Sequence, residues 1–297
     1  MTAPYDWPRV LARAPGGLAV SAIVVSYRTG PVLMDCLLAL EADPDVSQIV
    51  AVDNGNPPET LARMREQALR STKLKLVGEG LNVGFAAGVN VGARAATGTR
   101  LLILNPDAIL RRGSVAALEA ARAGVAEPIV VGGRIFGLDG VEQRGGRRRR
   151  LTLGTAAGTF LGLSRLGLPG LNRDGEPEPV EPVAVNAVSG ALMYLSREAF
   201  EALGGFDAGY FLHVEDLDLC RRAETMGGSV IYTPHAGALH HGATSAAPGM
   251  TVERHKAAGL KRYFSKFAAS PGERVLARAL APVMTAALLA RAWARRG

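Results

Sequence analysis

Cysteine and aromatic residues are scarce in this sequence, and each shortage excludes a class of protein. Only two of the 297 residues are cysteines, Cys36 and Cys220. Both stand in apolar, helix-like segments, so we expect buried thiols rather than a disulfide or a cysteine metal site. Aromatic residues make up 5% of the chain. No stacking platform or recognition motif accompanies them, so we expect no nucleic-acid partner.

The turn after the first apolar run lacks the glycines of common nucleotide-binding folds. Residues 19–27 predict a strand, and Ser26-Tyr27-Arg28-Thr29-Gly30 at its end contains no Gly-x-Gly-x-x-Gly pattern. This absence argues against a Rossmann dehydrogenase. A sugar-1-phosphate nucleotidyltransferase would carry a glycine-rich basic loop at the same place, so that class is disfavoured and stays an alternative.

The amino end lacks a charged segment followed by an apolar run, so we expect no signal peptide and a cytoplasmic location. The net charge is positive, since 34 lysines and arginines against 27 acids leave +7. The excess is concentrated at Arg147–Arg150 and after Thr251. Basic clusters of this kind fit nucleic acid, anionic lipid or diphosphate equally well.

Apolar runs alternate with helical segments over the first hundred residues, which predicts a doubly wound, mostly parallel α/β sheet flanked by helices. We predict strands at 19–27, 48–52, 74–77, 101–104, 129–135, 185–195 and 229–232, and helices at 31–40, 59–69, 86–96, 197–203 and 215–226. Between them, Gly137–Pro182 contains Gly-Gly, four arginines and a run of proline and glutamate. This composition predicts a long, partly mobile excursion.

The strand at 101–104 ends abruptly in Asn105-Pro106-Asp107. A proline cannot continue the strand ladder, so Asp107 is expected at the carboxyl edge of the sheet. Ligands of open α/β sheets bind in the crevice beyond that edge. A carboxylate there suits a divalent cation that bridges to phosphate oxygens. Capping of the following turn is the alternative role of Asp107.

Acidic residues also stand at the end of the second strand, Asp53, and at the start of a helix, Glu215-Asp216. A nucleotide-sugar enzyme needs a group that contacts base and ribose, a carboxylate for a metal and a proton acceptor, and the chain offers one candidate for each. Alone, Asp53 fits an Asx-turn equally well, and acids at a helix start fit its dipole. His240-His241 fits the surface, and Arg147–Arg150 fits a solvated loop.

The order of these pieces resembles the family 2 glycosyltransferases with the GT-A fold, most of all their bacterial rhamnosyltransferase branch. The resemblance spans residues 21–245. Its motifs are Val24-Val25-Ser26-Tyr27, Val52-Asp53-Asn54-Gly55, Asn82 through Asn90, Leu104 through Asp107, Ser189-Gly190-Ala191, Gly204-Gly205-Phe206-Asp207, Glu215 through Arg222, Pro234, and His240 through Ser245. Each motif is weak alone, and the whole series in this order is specific.

The resemblance implies a role for each position. It implies an inverting transfer of a sugar, dTDP-rhamnose being the favoured donor, with Mg²⁺ or Mn²⁺ as cofactor. Asp216 is the implied base, with Glu215 beside it near the acceptor, and Asp107 is the implied metal ligand, with His240 at the metal or diphosphate. The implied nucleotide-sugar contacts are Ser26, Tyr27, Asp53, Asn54, Gly84, Asn90, Asn105 and Asp107.

Two departures from the family pattern bear on this assignment. Asn105 takes the first acidic position of the general Asp-x-Asp motif, so the diphosphate itself would hold much of the metal. Arg28 stands where an asparagine is common, which puts a direct role of that side chain in doubt. A catalytically silent relative that serves as an assembly partner is a further alternative, and the intact Asp107 and Asp216 argue against it.

The resemblance predicts a glycosyltransferase domain at 1–245, with a nucleotide half at 19–135 and an acceptor half at 136–245. Residues 246–297 predict a basic helical extension. Its apolar stretch, Ala279–Ala290, is interrupted by Pro282 and too short to span a bilayer. A basic amphipathic helix suits an anionic membrane surface, or equally a docking site on the domain. We expect peripheral attachment to the cytoplasmic face of the inner membrane. The expected acceptor is a polyprenyl-diphosphate-linked or cell-surface glycan, and Arg147–Arg150 would meet the lipid diphosphate.

Overall fold

The computed structural model describes residues 18–78, 80–173, 175–242 and 249–294. Within them, strands and helices alternate around a central sheet. The strands are β1 (Val20–Ser26), β2 (Gln48–Asp53), β3 (Leu74–Val77), β4 (Arg100–Leu104), β5 (Ala108–Leu110), β6 (Ile129–Phe136), β7 (Arg147–Arg148), β8 (Val183–Ala184), β9 (Ala187–Val188), β10 (Leu192–Ser196) and β11 (Ser229–His240). The helices are α1 (Val32–Ala42), α2 (Pro58–Arg70), α3 (Phe85–Ala95), α4 (Ser114–Ala120), α5 (Leu153–Phe160), α6 (Arg197–Ala202), α7 (Glu215–Thr225), α8 (Gly249–Phe267) and α9 (Pro271–Ala294).

The central sheet has the order β3-β2-β1-β4-β10-β6-β11-β5. Strands β3, β2, β1 and β4 are parallel to one another, and β11 is parallel to β6. Within the described part of the central sheet, β10, between β4 and β6, and the short β5 and β8 beside β11 run antiparallel. Strands β7 and β9 form a separate antiparallel pair. The predicted doubly wound, mostly parallel sheet is confirmed, and its carboxyl edge carries the ends of β1, β2 and β4.

Helix α3 lies unusually close to this sheet because its buried side is made of small residues. A Cβ atom on Gly88 would stand 2.6 Å from Cγ1 of Val25, and one on Gly92 would stand 2.4 Å from Cγ2 of Ile23. Both valine and isoleucine belong to β1, which is buried along its whole length. The two glycines therefore set the distance between α3 and the first strand.

The last strand is longer than the predicted 229–232. The register of β11 against β6 shifts between Thr233 and Gly237, so the strand continues through a bulge to His240. Pro234 stands inside that bulge, where no ladder hydrogen bond is needed from its nitrogen. The continuation aligns His240 with Ala108 of β5. His240, which is 133 positions farther along the chain, is thereby placed beside Asp107.

The predicted excursion at Gly137–Pro182 is ordered in the described residues. It contains β7, helix α5 and a turn of 3₁₀ helix at Leu163–Leu166. Thr152 caps α5, since its side chain accepts a hydrogen bond from the Thr155 nitrogen at 3.2 Å. Sequence reasoning assigned no regular element to this segment, whereas the structure has three there, and the mobility of the segment stays a prediction.

The carboxyl-terminal helices pack on the sheet domain. Leu260 and Tyr263 of α8 and Met284 and Leu288 of α9 are buried in the same core as β1 and α7. The predicted domain boundary at 245 and the motif residues 243–245 lie outside the described residues. Both cysteines are buried and free, as predicted.

Helix α9 is longer than the apolar stretch that the sequence indicated. It runs unbroken through Pro282 for 24 residues. By length and composition alone it is sufficient to cross a membrane, and 22% of its most apolar window is buried. The expectation that this region is too short to span was therefore wrong, because neighbouring helical turns extend it in both directions.

Candidate active site

Asn105, Asp107 and His240 converge at the carboxyl edge of the sheet. The chain leaves β4 at Asn105 and enters β5 after Asp107, while His240 ends β11. The His240 Nε2 atom lies 3.2 Å from Asp107 Oδ1 and 3.1 Å from Asn105 Nδ2. Asp107 is buried, with 6% of its surface exposed. The structure thus brings together the three residues that the resemblance placed at a metal and diphosphate site.

Gln143 determines which nitrogen of His240 carries the proton. The Gln143 amide donates from Nε2 to the His240 carbonyl oxygen at 2.7 Å, and its Oε1 lies 2.7 Å from His240 Nδ1. An amide oxygen only accepts, so Nδ1 holds the hydrogen and Nε2 presents its lone pair toward Asp107. Sequence reasoning missed Gln143, because nothing in its local pattern marks a partner 97 positions away.

The donor set at this edge fits a cation that is shared with a diphosphate. The Asp107 carboxylate oxygen and the His240 lone pair are both acceptors and stand side by side. In the described ranges, no three His, Cys, Asp or Glu side chains form a complete metal cluster. Magnesium in phosphate-binding sites commonly takes one or two carboxylates and completes its shell with substrate oxygens and water. Asp107 and His240 match that partial set.

Asp216 accepts four hydrogen bonds, which is the full capacity of a carboxylate. Its Oδ1 accepts from Leu217 N at 2.8 Å and from Arg148 Nη1 at 3.3 Å. Its Oδ2 accepts from Gly190 N at 3.0 Å and from Arg148 Nη2 at 2.5 Å. Burial acts to raise the pKa of this carboxyl, but the Arg148 charge and these hydrogen bonds outweigh it and lower the pKa. Asp216 is therefore ionised at neutral pH.

The pKa of Glu215, the residue directly before Asp216, is shifted in the opposite direction. Its Oε2 is buried and has no hydrogen-bond partner among the described residues. Burial, followed by the nearby negative charge of Asp216, raises the pKa of the Glu215 carboxyl to about 8. At neutral pH this side chain is mostly protonated.

A strained turn presents the two acids. His213 and Val214, directly before α7, have left-handed φ angles of 68° and 75°. Such a conformation costs roughly 1–2 kcal/mol for each residue that carries a Cβ atom. Helix α8 covers this turn, and a Cβ on its Gly259 would stand 3.0 Å from the His213 carbonyl oxygen. Packing of α8 thus holds the backbone that aims Glu215 and Asp216.

Two residues connect Asp216 to the Asp107 edge. Gly190 donates to Asp216 Oδ2 at 3.0 Å, and the carbonyl of the adjacent Ala191 accepts from Asn105 N at 3.1 Å. Positions 105 and 216 are therefore held from one dipeptide. That Asp107 and Asp216 serve one cleft stays a prediction.

The predicted base pocket at the ends of β1 and β2 is a compact turn. Asp53 Oδ1 accepts from Gly55 N at 3.2 Å and from Asn56 N at 2.9 Å, an Asx-type arrangement. Ser26 Oγ donates to Asn56 Oδ1 at 2.9 Å. Asn54 Oδ1 accepts from Val83 N at 2.9 Å. These three side chains organise backbone around the pocket, and their contact with a nucleotide stays a prediction.

A cleft of about 710 Å³ opens next to that turn. It is lined by Arg28, Gly30, Pro31, Met34, Gly55, Asn56, Pro57, Pro58, Glu59, Thr60 and Arg63. Tyr27 lies beside it, with the Arg28 guanidinium 5.4 Å from the ring centre. Arg28, whose side chain the sequence left in doubt, is thus part of this wall.

Gly84 and Asn90 contact protein backbone in the structure. A Cβ on Gly84 would stand 2.5 Å from the Phe211 carbonyl oxygen, and Phe85 N donates to that oxygen at 2.8 Å. Asn90 donates to the Phe206 carbonyl at 2.7 Å and accepts from Phe206 N at 2.9 Å. Both residues therefore fasten α3 to the chain that leads to α7, and their part in packing the backbone close to a nucleotide stays a prediction.

Each arginine of the 147–150 run has its own carboxylate, so the alternative of a merely solvated loop does not hold for the buried part of the run. Contact of the run with a lipid diphosphate stays a prediction. Their partners are Glu142 for Arg147, Asp216 for Arg148, Glu176 for Arg149 and Glu224 for Arg150. Arg147 and Arg148 are buried. A buried arginine is stable only when paired, so this run organises the segment around the site.

Known glycosyltransferases are similar to this chain in sequence. Residues 21–200 match the sequence profile of the family described as Glycosyl transferase family 2. The chain is 30% identical over 243 residues to N-acetylglucosaminyl-diphospho-decaprenol L-rhamnosyltransferase of Mycobacterium tuberculosis H37Rv, covering 75% of this chain and 76% of that protein. It is 28% identical over 228 residues to the O-antigen biosynthesis protein RfbC of Myxococcus xanthus, covering 75% of this chain and 17% of that protein.

A solved structure shares the fold. The mannosyltransferase PcManGT from Pyrobaculum calidifontis, in complex with GDP-Man and Mn²⁺, has a TM-score of 0.59 and 20% identity. The match covers 99% of this chain and 77% of that one. The family profile spans more than half of the present sequence, and the sheet, the Asn-Pro-Asp turn and the Glu-Asp helix start lie in the predicted places. The chain therefore belongs to glycosyl transferase family 2 and is a glycosyltransferase with the GT-A fold.

Proposed function

We propose that this glycosyltransferase moves L-rhamnose from dTDP-rhamnose to a hydroxyl of a polyprenyl-diphosphate-linked glycan, with inversion at the anomeric carbon. The mycobacterial relative, whose name gives an N-acetylglucosaminyl-diphospho-decaprenol acceptor and L-rhamnose, supports the sugar and the acceptor class. The match to a protein of O-antigen biosynthesis supports a surface-polysaccharide product.

Asp107 and His240 are the side chains that would hold Mg²⁺ or Mn²⁺ together with the donor diphosphate. When bound, the cation offsets the negative charge that develops on the leaving diphosphate. Gln143 keeps the His240 lone pair on the side of Asp107. The protein supplies one carboxylate there, so we expect tight cation binding only when the nucleotide is present.

Asp216 is the proposed proton acceptor. The acceptor hydroxyl oxygen forms a bond to the anomeric carbon while the bond from that carbon to the diphosphate oxygen breaks. The hydroxyl proton passes to Asp216, and the nucleoside diphosphate leaves with the bonding electrons. A single displacement from the opposite side inverts the anomeric centre. Glu215, protonated at neutral pH, is available to donate a hydrogen bond to the acceptor.

The observation that carries the proposal is the shared dipeptide Gly190-Ala191, which binds Asp216 on one side and Asn105 on the other. A base and a diphosphate site on one cleft are what a direct displacement requires.

The test is transfer to a synthetic GlcNAc-diphosphopolyprenol by the purified chain, with a panel of nucleotide sugars and Mn²⁺ or Mg²⁺. We expect a product only with dTDP-rhamnose. Asp216→Asn should lower turnover by about 10² or more and leave donor binding intact. Asp35→Asn, an exposed acid on α1, is the matched control and should behave as wild type. Donor binding without transfer by the wild-type chain to any acceptor would indicate a silent relative.

We also propose that the enzyme works at the cytoplasmic face of the inner membrane, attached peripherally. Its proposed acceptor carries a polyprenyl tail that is confined to a bilayer. Helix α9 exposes large apolar side chains, including Val275 and Trp293, which are 64% and 76% exposed. Arginines 274, 278 and 291 stand on the same helix, and this combination suits an anionic lipid surface.

A further inference from the structure

We propose that Arg148 is a positioning residue of the transfer reaction, which orients Asp216 as the ionised proton acceptor. This inference rests on the proposed function and extends it to a residue of the basic run. The geometry that carries it is a two-point contact. Nη1 and Nη2 of one guanidinium reach the two oxygens of one carboxylate, at 3.3 Å and 2.5 Å.

Arg148 is itself fixed by its surroundings. It belongs to β7, where it is in register with Ala187 of β9. Its Nη2 also donates to the Val188 carbonyl at 2.6 Å. The side chain is buried, so rotation away from Asp216 would leave two charges without partners. The guanidinium plane thereby determines the plane of the Asp216 carboxylate.

Arg148 also decides the charge of Asp216. Asp216 is buried, and burial favours a protonated carboxyl. The two backbone donors, Gly190 and Leu217, carry only partial charge. The guanidinium is the one full positive charge that bonds to Asp216 in the described part of the chain. Without it, we expect the pKa of Asp216 to rise, and a protonated carboxyl accepts no proton.

The longest of the four hydrogen bonds, from Arg148 Nη1 to Asp216 Oδ1, is the one that we expect the acceptor hydroxyl to displace. Asp216 Oδ1 receives Arg148 Nη1 at 3.3 Å, whereas the other three bonds are 3.0 Å or shorter. A hydroxyl that displaces this weakest bond would reach Oδ1 while Nη2 still holds Oδ2. The carboxylate thus stays oriented during the proton transfer.

Arg150 provides a matched control within the same run. It pairs with Glu224 at 3.0 Å, also on helix α7 and nine residues from Glu215. An Arg150→Met variant therefore removes one arginine and one ion pair to the same helix without touching Asp216. Any effect that comes merely from net charge or from tying the 147–150 segment to α7 should appear in both arginine variants.

The experiment measures kcat and KM of rhamnosyl transfer against pH for wild type, Arg148→Met, Arg148→Lys and Arg150→Met. For Arg148→Met we expect kcat at pH 7 to fall about 10²-fold, since a displacement of a catalytic group by about 1 Å can cost this much in rate. We expect the donor KM to change less than about twofold. The acid limb of the kcat profile should move to higher pH, so that part of the lost activity returns as the pH rises. Arg148→Lys should lie between, and Arg150→Met should match wild type.

Three results would overturn the inference. The first is an Arg148→Met enzyme with wild-type turnover. The second is a loss of equal size at every pH, which would mean a purely structural role. The third is the same shift in Arg150→Met. If Arg148→Met does not fold, Arg148→Lys decides alone. Lysine keeps the charge and loses the two-point contact, so wild-type kcat in that variant would contradict the proposal. A wild-type chain that transfers no sugar refutes the proposed function, whereas active wild type with an unaltered Arg148 variant refutes only this inference.

Discussion

Glu215 and Asp216 are adjacent carboxylic acids that the fold holds in different protonation states, Glu215 neutral and Asp216 negatively charged. Asp216 faces Arg148 and two backbone N–H groups, and Glu215 is buried with one oxygen unpartnered. Adjacent acids with separated pKa values are a common arrangement at sites that move protons. At the residue scale, the chemistry of the cleft depends on which of two neighbours receives the guanidinium.

The raised pKa of Glu215 makes stability depend on pH. The unfolded chain releases this proton near pH 4.5, whereas the folded chain keeps it until about pH 8. The folded state thus binds more protons across this window, and the free energy of unfolding falls as the pH rises through it. Glutamine cannot ionise, so Glu215→Gln should gain stability relative to wild type between pH 5 and pH 8.

The measurement is the thermal midpoint of both proteins at several pH values. For a chain of this size, about 2–4 °C corresponds to each 1 kcal/mol of the difference. Glu59→Gln, an exposed acid at the start of α2, should show a constant offset. Parallel curves for Glu215→Gln and wild type would show that Glu215 ionises in the folded state as it does in the unfolded chain.

The residues that sequence reasoning identified and the ones it missed differ in a physical way. The roles of Asp107 and Asp216 could be predicted from local sequence patterns, since Asp107 follows a strand and Asp216 lies in the first turn of a helix. Arg148 and Gln143 act through partners 68 and 97 positions away. Their roles depend on how β7 and β11 pack, and a single sequence carries no local mark of such contacts.

At the scale of elements, helix α8 belongs to the active-site framework. Lys266 near its end contacts Asp218 of α7 at 2.6 Å and Asp207 at 2.9 Å. Arg262 binds Asp207 with both arms of its guanidinium. Together with Gly259 on the strained turn, these contacts hold the segment that begins α7. From the sequence alone, the basic residues of α8 suit a membrane surface. Two of them, Arg262 and Lys266, instead pair with acids of the same chain.

Asp218 makes the energetic role of α8 testable, because it is fully buried. Its charge is compensated by Lys266 and by Arg222, whose Nε lies 2.8 Å from Oδ1. Removing the lysine leaves a buried carboxylate with one cation, which costs about 1–3 kcal/mol. Lys266→Met should lower the free energy of unfolding in urea by this amount. Lys261→Met, exposed on the same helix, should change it by less than about 0.5 kcal/mol. Equal stability of the two variants would refute a bracing role for Lys266.

Elements were predictable where their pattern is strong and local. Strands β1 to β4 and the helices between them lie within a few residues of the prediction. The three-residue β5 and the continuation of β11 past Pro234 were missed. The continuation of β11 pairs with β5 on one side and with β6 on the other, and pairing between distant segments leaves no periodic trace in a sequence.

At the scale of the whole molecule, α9 is the element with the most unassigned apolar surface. Its inner residues, among them Met284 and Leu288, are buried in the core. Deleting the helix would therefore damage the fold as well as any membrane contact. Single side chains on its outer side separate the two effects.

Substitution of Val275 and Trp293 by serine tests membrane attachment. Each substitution removes apolar side-chain area that a bilayer would bury. A loss of about 1.4 kcal/mol in transfer free energy weakens membrane partition tenfold. We expect the double variant to co-sediment about tenfold more weakly with anionic phosphatidylglycerol vesicles at low salt. The control is a double substitution of Leu69 and Leu138, which are 89% and 79% exposed on other surfaces. Unaltered binding of the α9 variant would place the membrane contact elsewhere.

The central claim is that Asp107 and Asp216 divide one reaction between them across a single cleft. The most direct measurement is calorimetric binding of dTDP with and without Mn²⁺, paired with rhamnosyl turnover, for Asp107→Asn and Asp216→Asn. We predict that Asp107→Asn loses the Mn²⁺-dependent gain in dTDP affinity, while Asp216→Asn keeps that gain and loses turnover about 10²-fold. Wild-type turnover in Asp216→Asn, or an unchanged Mn²⁺ effect in Asp107→Asn, would contradict the account.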